Sequence, residues 1–267
     1  MIDTAVIMAA GKGTRFGSRT TAMPKGFIEF KGVSMIERSI ENLLSVGIKR
    51  IIIGTGYHRE WYEGLCCKYP QIITVFSPVF ADSNSMETLY RCRHAIGERD
   101  FLLLESDLVY EQKALSLLLE DHHDDIMLAS DVIKFQDQYY IAVDENIDLL
   151  KCSTDKVALI EETGEKPYGE LVGIHKLSNR FYQEMIEDYE NHHDEYMRRG
   201  YEFEIEDVAT SNEHVAASYI GNDGVIPTSI VRLPRRIPMF VLKLRNLQWY
   251  EIDDEEDLKY AEKNLKI

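Results

Sequence analysis

Thr4-Ala5-Val6-Ile7-Met8-Ala9-Ala10-Gly11-Lys12-Gly13-Thr14-Arg15-Phe16-Gly17 is the stretch on which the fold turns. Residues 4–10 form a short apolar run without polar alternation, the pattern of a strand buried on both faces in a parallel sheet. The glycines that follow place a turn at the carboxyl end of that strand. There an open α/β sheet aims backbone N–H groups at phosphate. No Gly-Lys-Ser/Thr closes the turn, so it is not a Walker A loop, and Phe16 at the sixth position breaks the dinucleotide fingerprint. Residues 18–23 continue the loop before Pro24-Lys25. Arg15 and Lys25 would thus bring two cations to one nucleoside triphosphate.

Outward from this turn, strands and helices alternate. Ser34 with Glu37 three residues later has capping-box spacing, and Met35, Ile36, Ile40, Leu43 and Leu44 form one apolar helix face that Gly47 ends. Strands are expected at Arg50–Thr55, Ile72–Phe76, Phe101–Glu105 and residues 125–130, with helices at 60–69, 86–96 and 112–120 between them. That rhythm predicts an α/β fold with a Rossmann-like, doubly wound, mostly parallel sheet. From about residue 132 the pattern changes to antiparallel hairpins at 138–143, 156–161 and 171–175. A long polar helix follows over 178–199, then a strand at 237–244 and a helix over Glu255–Asn264. We read one domain over residues 1–267: a core of about 1–131 and 237–267, carrying a smaller antiparallel and helical lid at about 132–236.

Composition narrows the function classes. In 267 residues, 30 Lys+Arg against 46 Asp+Glu give a net charge of −16, and 45% hydrophobic with 28% charged residues is an ordinary globular balance. Residues 1–60 nevertheless hold nine Lys/Arg against five acids, so the remainder carries −20. A basic segment on an acidic chain suits a local anion site. The overall charge argues against nucleic-acid partners, whose binding rests on neutralising phosphates with Lys and Arg. No apolar run reaches the roughly 18–20 residues that span a bilayer, and no signal peptide is visible. Four cysteines, two of them adjacent at Cys66 and Cys67, do not make a disulfide scaffold. A cytoplasmic protein acting on small molecules is expected; oligomeric state is not legible.

The segment from Met8 to Arg15, with Pro24-Lys25, resembles the signature of nucleoside-triphosphate transferases of glycosyltransferase-A-like fold. More narrowly, Val46-Gly47-Ile48, Gly56-Tyr57, Asp82-Ser83-Asn84-Ser85, Glu105-Ser106-Asp107 and Tyr250-Glu251-Ile252-Asp253 resemble the CTP-dependent branch. That branch includes phosphocholine and 2-aminoethylphosphonate cytidylyltransferases. The segments 84–89 and 169–174 look most like the aminoethylphosphonate enzymes. The resemblance implies transfer of CMP from CTP to 2-aminoethylphosphonate, with release of pyrophosphate, for phosphonate decoration of a surface lipid or glycan. Phosphocholine and a sugar 1-phosphate remain alternative acceptors, and a non-catalytic NTP-binding module is a further alternative. It also implies that Met8, Ala9, Ala10 and the loop of Asp82, Ser83 and Asn84 flank base and ribose.

The chemistry matches these residue types. An acceptor phosphonate or phosphate is already anionic near neutral pH, so the site must supply position and positive charge rather than a base. Lys25 and Arg15 supply side-chain charge, and Gly11, Lys12, Gly13 and Thr14 supply backbone donors. Mg²⁺ is the expected cofactor and takes oxygen ligands. Asp107, just past the Phe101–Glu105 strand, is one candidate ligand; by resemblance Asp253 is its partner, although Asp253 also reads as an N-cap. For the acceptor amine, carboxylates suit a primary ammonium and an aromatic cage a quaternary one. Asp131, Glu170 and Tyr140 are the candidates, within a wider set including Glu204 and Asp207. Adjacent histidines at 122–123 and 192–193 read as helix ends rather than metal sites. Arg232, Arg235 and Arg236 either face phosphate or border the lid.

Overall fold

A computed structural model describes residues 2–133, 139–210 and 237–267. The described strands are β1 (Thr4–Ala9), β2 (Glu29–Phe30), β3 (Val33–Ser34), β4 (Arg50–Thr55), β5 (Ile72–Phe76), β6 (Phe101–Glu105) and β7 (Leu108–Tyr110). They continue with β8 (Ile126–Ser130), β9 (Tyr140–Val143), β10 (Leu149–Ser153), β11 (Gly169–Leu177), β12 (Phe240–Leu244) and β13 (Trp249–Glu251).

β1 lies between β4 and β6, parallel to both, and β5 extends the parallel set beyond β4. Every residue of β1 is buried, as its unbroken apolar run requires. Its side chains divide by the two-residue period. Ala5, Ile7 and Ala9 join one core with Ile36, Ile40 and Leu115; Val6 and Met8 join another with Leu89, Phe181 and Ile205. Both faces of the sheet are therefore covered by helices, which is the expected doubly wound α/β arrangement.

Local signals explain most elements. Ser34 accepts from the Glu37 amide and donates to the Glu37 carboxylate, starting the helix Met35–Ser45. Ser178 caps Asn179–Asn191 by accepting from the Phe181 amide. Asp125 accepts from both the amide and the hydroxyl of Ser178, and burial pushes its carboxyl up to about 6.

Three expectations need correction. Residues 156–161 are helical, within Lys156–Thr163, because Asp155 accepts from the amides of Val157 and Ala158, and Gly164 in a left-handed conformation ends the turn. The long helix at 178–199 breaks at His192 and resumes only as the short turn His193–Tyr196. Residues 139–177 do not stand apart from the core either. β11 runs antiparallel to β6, β8 and β9, and β10 pairs with β9, so these strands extend the main sheet. Gly173, at φ +76°, lies where the β11–β8 register shifts between Leu171 and His175. The start of the expected 138–143 strand and the arginines 232, 235 and 236 lie outside the described residues.

One buried carboxylate ties the helices of one layer together. Glu87 is fully buried on Ser85–Arg91 and accepts from Arg91 Nε at 2.6 Å and from the Tyr189 hydroxyl at 2.7 Å. Removing one partner of such a network costs about 3 kcal/mol, and the partial exposure of Arg91 holds the figure to that lower end. Glu87→Ala is expected to lower the melting temperature by about 6–10 °C at this chain length. A calorimetric melt checks this, and a shift under about 2 °C would be too small for the role.

Candidate functional site

The loop leaving β1 is shaped by Gly13. Its φ of +57° is left-handed, and a methyl built there would lie 2.9 Å from Lys25 Cβ and 3.2 Å from Thr20 Cγ2. Thr20 locks the loop by donating to the Gly13 carbonyl at 2.9 Å. Glycine here lets the loop close over the turn Lys25–Phe27. Gly13→Ala combines a backbone penalty of about 1–2 kcal/mol with displacement of Lys25. It is expected to raise the nucleotide KM by about tenfold or more, checked by steady-state kinetics against a melt that shows the fold retained.

Two carboxylates far apart in sequence meet at Lys25. β7 pairs antiparallel with β13, matching Leu108 with Glu251, and the Ile252 amide donates to the Asp107 carbonyl. This pairing brings Asp253 beside Asp107. Lys25 Nζ donates to Asp107 Oδ2 at 2.6 Å and to Asp253 Oδ1 at 2.7 Å, and Arg15 Nη2 stands 3.2 Å from the same Asp253 oxygen. Burial acts to lower the Lys25 pKa, but the two carboxylates outweigh it and hold the ammonium charged above the ordinary lysine range. The helix Glu255–Asn264 is capped by Asp254, which accepts from the amides of Glu256 and Asp257, so Asp253 is not the cap. Beneath the lysine turn, Tyr62 is buried, and that burial pushes its phenol above the ordinary range. Nothing in the sequence pattern separates Tyr62 from the core tyrosines.

These groups line a cavity of about 400 Å³. Met8, Ala10, Gly11, Gly13, Thr14, Arg15, Lys25, Ser83, Asn84, Asp107 and Asp253 all contribute to its wall. Ala9, Lys12 and Asp82 do not: Ala9 is buried in the core of the opposite face, while Lys12 and Asp82 are exposed. Asn84 starts the helix Ser85–Arg91 by accepting from the Ser85 amide, and its own amide bonds the Met197 carbonyl.

Beside this cluster the cavity wall brings together a tyrosine expected among the possible cage residues and acids that the sequence does not mark for the amine. Tyr139, Glu202, Phe203 and Glu105 form this part of it. Tyr139 and Phe203 meet edge-on, with ring centroids 6.3 Å apart. Glu105 accepts from the Tyr201 hydroxyl at 2.8 Å, and burial together with Asp107, Glu202 and Glu251 pushes its carboxyl well above the ordinary range. Burial also raises the Glu202 carboxyl.

Asp131, Glu170 and Tyr140 lie elsewhere. Asp131 pairs with Lys243 at 3.2 Å, Glu170 is buried and accepts from the Ile133 amide at 2.7 Å, and Lys156 sits over the Tyr140 ring. Tyr139 and Tyr140 are adjacent, and successive side chains of extended backbone take opposite directions, so one residue's difference decides which reaches the cavity. Glu204 faces Arg199 instead; of the histidines expected at solvated helix ends, His123 stacks on Phe240 and His192 on Tyr196, and Asp121, His122 and His123 bring ligand atoms within 4.8 Å of one another.

The donor set fits a hard divalent cation. Glu105, Asp107 and Glu251 present oxygens within 4.8 Å of one another, and Asp107 Oδ1 is buried without a hydrogen-bond partner. Among the described residues no helix is long and apolar enough to cross a membrane.

A doubly wound α/β sheet whose first strand delivers a glycine turn and two cations to an acid-lined cavity is a nucleotide-handling fold. The chain belongs to the family of MobA-like NTP transferase domains, whose model matches residues 5–194. It is 33% identical over 105 residues to a 2-aminoethylphosphonate cytidylyltransferase from Lancefieldella rimae, covering 39% of this chain and 43% of that protein. It is 40% identical over 93 residues to a choline-phosphate cytidylyltransferase from Streptococcus pneumoniae, covering 35% and 40%. The matches thus span under half the length of these two relatives. A CTP:phosphoglutamine cytidylyltransferase from Campylobacter jejuni is 26% identical over 198 residues, 70% of this chain and 77% of its own. The fold matches that of the CTP:phosphocholine cytidylyltransferase from Streptococcus pneumoniae with a TM-score of 0.72 at 18% identity, over 98% of this chain and 99% of that one.

Proposed function

We propose that the protein is a cytidylyltransferase that moves CMP from CTP to a small amine-bearing phosphonate or phosphate, 2-aminoethylphosphonate in the first place. The observation that carries the reading is a single cavity in which Lys25, Arg15 and the glycine turn stand beside buried acids and the Tyr139–Phe203 pair. An acceptor oxygen forms a bond to the α-phosphorus of CTP while the bond from that phosphorus to the pyrophosphate oxygen breaks, and pyrophosphate leaves with the electron pair. Lys25, Arg15 and the amides of residues 11–15 hold the negative charge that both substrates bring. Asp107 and Asp253, with Glu105 and Glu251 nearby, would hold Mg²⁺, which draws charge from phosphate oxygens when bound.

Glu202 and Glu105 suit a primary ammonium, which can donate hydrogen bonds as well as charge. The Tyr139–Phe203 pair favours the second reading, phosphocholine, since aromatic faces attract a quaternary ammonium. CTP chemistry and the free thiols at Cys66, Cys67, Cys92 and Cys152 accord with a cytoplasmic setting.

The test is pyrophosphate release with CTP and Mg²⁺, offering 2-aminoethylphosphonate, phosphocholine and glucose 1-phosphate in parallel. Turnover with the aminophosphonate above the others is expected. Preference for phosphocholine would keep the chemistry and overturn the ammonium argument; preference for the sugar phosphate would overturn the acceptor class.

A further inference from the structure

Lys25 stands where a bound cation would be expected. Its Nζ lies between Asp107 Oδ2 at 2.6 Å and Asp253 Oδ1 at 2.7 Å, and the three side chains are only 13%, 13% and 5% exposed. Mg²⁺ sits about 2.0–2.1 Å from its oxygens. A metal ion drawn to both carboxylates therefore meets the ammonium in the same wedge, and like charges this close in a buried site repel strongly. Arg15 also reaches Asp253, but with half its side chain in solvent it is the weaker neutraliser. The glycine turn that approaches the Lys25 side chain supplies the other place for the ammonium to act, against a triphosphate.

We propose that Lys25 is the resident counter-ion of the Asp107–Asp253 pair, and that a nucleotide triphosphate, by drawing Lys25 onto phosphate, opens the pair to a divalent cation. Nucleotide and metal then bind with positive coupling through one side chain, and linkage makes the coupling reciprocal. The inference rests on the transferase reading for its nucleotide, but it concerns binding before any transfer.

Two titrations on the full-length protein test it. In the first, Mn²⁺ binding is followed by electron paramagnetic resonance without nucleotide. Lys25→Met is expected to bind Mn²⁺ about tenfold more tightly than wild type, and adding Asp107→Asn should abolish the gain. In the second, CTP binding is measured in EDTA. Asp107→Asn and Asp253→Asn, each releasing Lys25 from one partner, are expected to bind metal-free CTP about five- to tenfold more tightly than wild type. Glu202→Gln, an acid of the same cavity without a Lys25 contact, should give no such gain. The gain should also vanish when Lys25→Met is added.

Unchanged Mn²⁺ affinity in a folded Lys25→Met protein overturns the proposal. So does a CTP gain that persists without Lys25, since removal of charge alone would then explain it. If Lys25→Met fails to fold, the comparison of Asp107→Asn and Asp253→Asn with Glu202→Gln decides. Failure of the transferase reading shows differently, as absence of CMP transfer to every acceptor while the Mn²⁺ gain remains.

Discussion

Lys25→Ala is expected to lower kcat/KM for CMP transfer by about 10³-fold, in line with the loss of one preorganised charged donor at a reacting phosphate. The loss has two sources. The substitution removes the ammonium facing the triphosphate, and it leaves Asp107 and Asp253 as two buried carboxylates that repel the incoming phosphates. Single-turnover kinetics with CTP at saturation separates them: the rate of the chemical step should fall even when the nucleotide is fully bound. The fold should survive, because Lys25 lies in a short turn lining the cavity rather than in the packed layers. A loss below about tenfold would show that Lys25 does not touch the transferred group.

The second large effect is expected at Glu202. Glu202→Gln should raise the KM for 2-aminoethylphosphonate by about 100-fold, or roughly 2.7 kcal/mol, the range for truncating one partner of a buried charge pair. The KM for CTP should stay within about threefold, because Lys25 is held by Asp107 and Asp253 rather than by Glu202. Phosphocholine, which offers no N–H donor, should be affected less than the primary amine. Equal losses with both acceptors would show that Glu202 shapes the wall without contacting the amine. Varying each substrate in turn, with the other saturating, gives both KM values.

The residues most legible in advance were those whose meaning is local. The run Thr4–Ala9 is buried throughout because it lies between two parallel strands, and that environment demands an unbroken apolar sequence. The glycine turn, the Ser34–Glu37 box and the terminal helix over Glu255–Asn264 likewise follow from side-chain and backbone geometry within a few residues. Where two local readings competed, a hydrogen bond decided. Residues 156–161 combine apolar and charged side chains in an order that suits either strand or helix, and the Asp155 cap selects the helix. The helix Tyr201–Thr210 escaped notice because Glu202 and Glu204 are buried beside Tyr201 and Ile205, so it carries no clean apolar stripe.

The sequence by itself therefore determined the sheet's first strand, the phosphate-facing turn and the two cations beside it. Each depends on contacts made within a turn or a strand. The meeting of Asp107 and Asp253, suggested by resemblance, is brought about physically by the β7–β13 pairing across more than a hundred residues. The rest of the cavity wall was decided only by tertiary structure. Tyr139 and the adjacent pair Glu202–Phe203 come from separate segments, and a buried acid in a helix reads like a solvated one until packing around it removes the water.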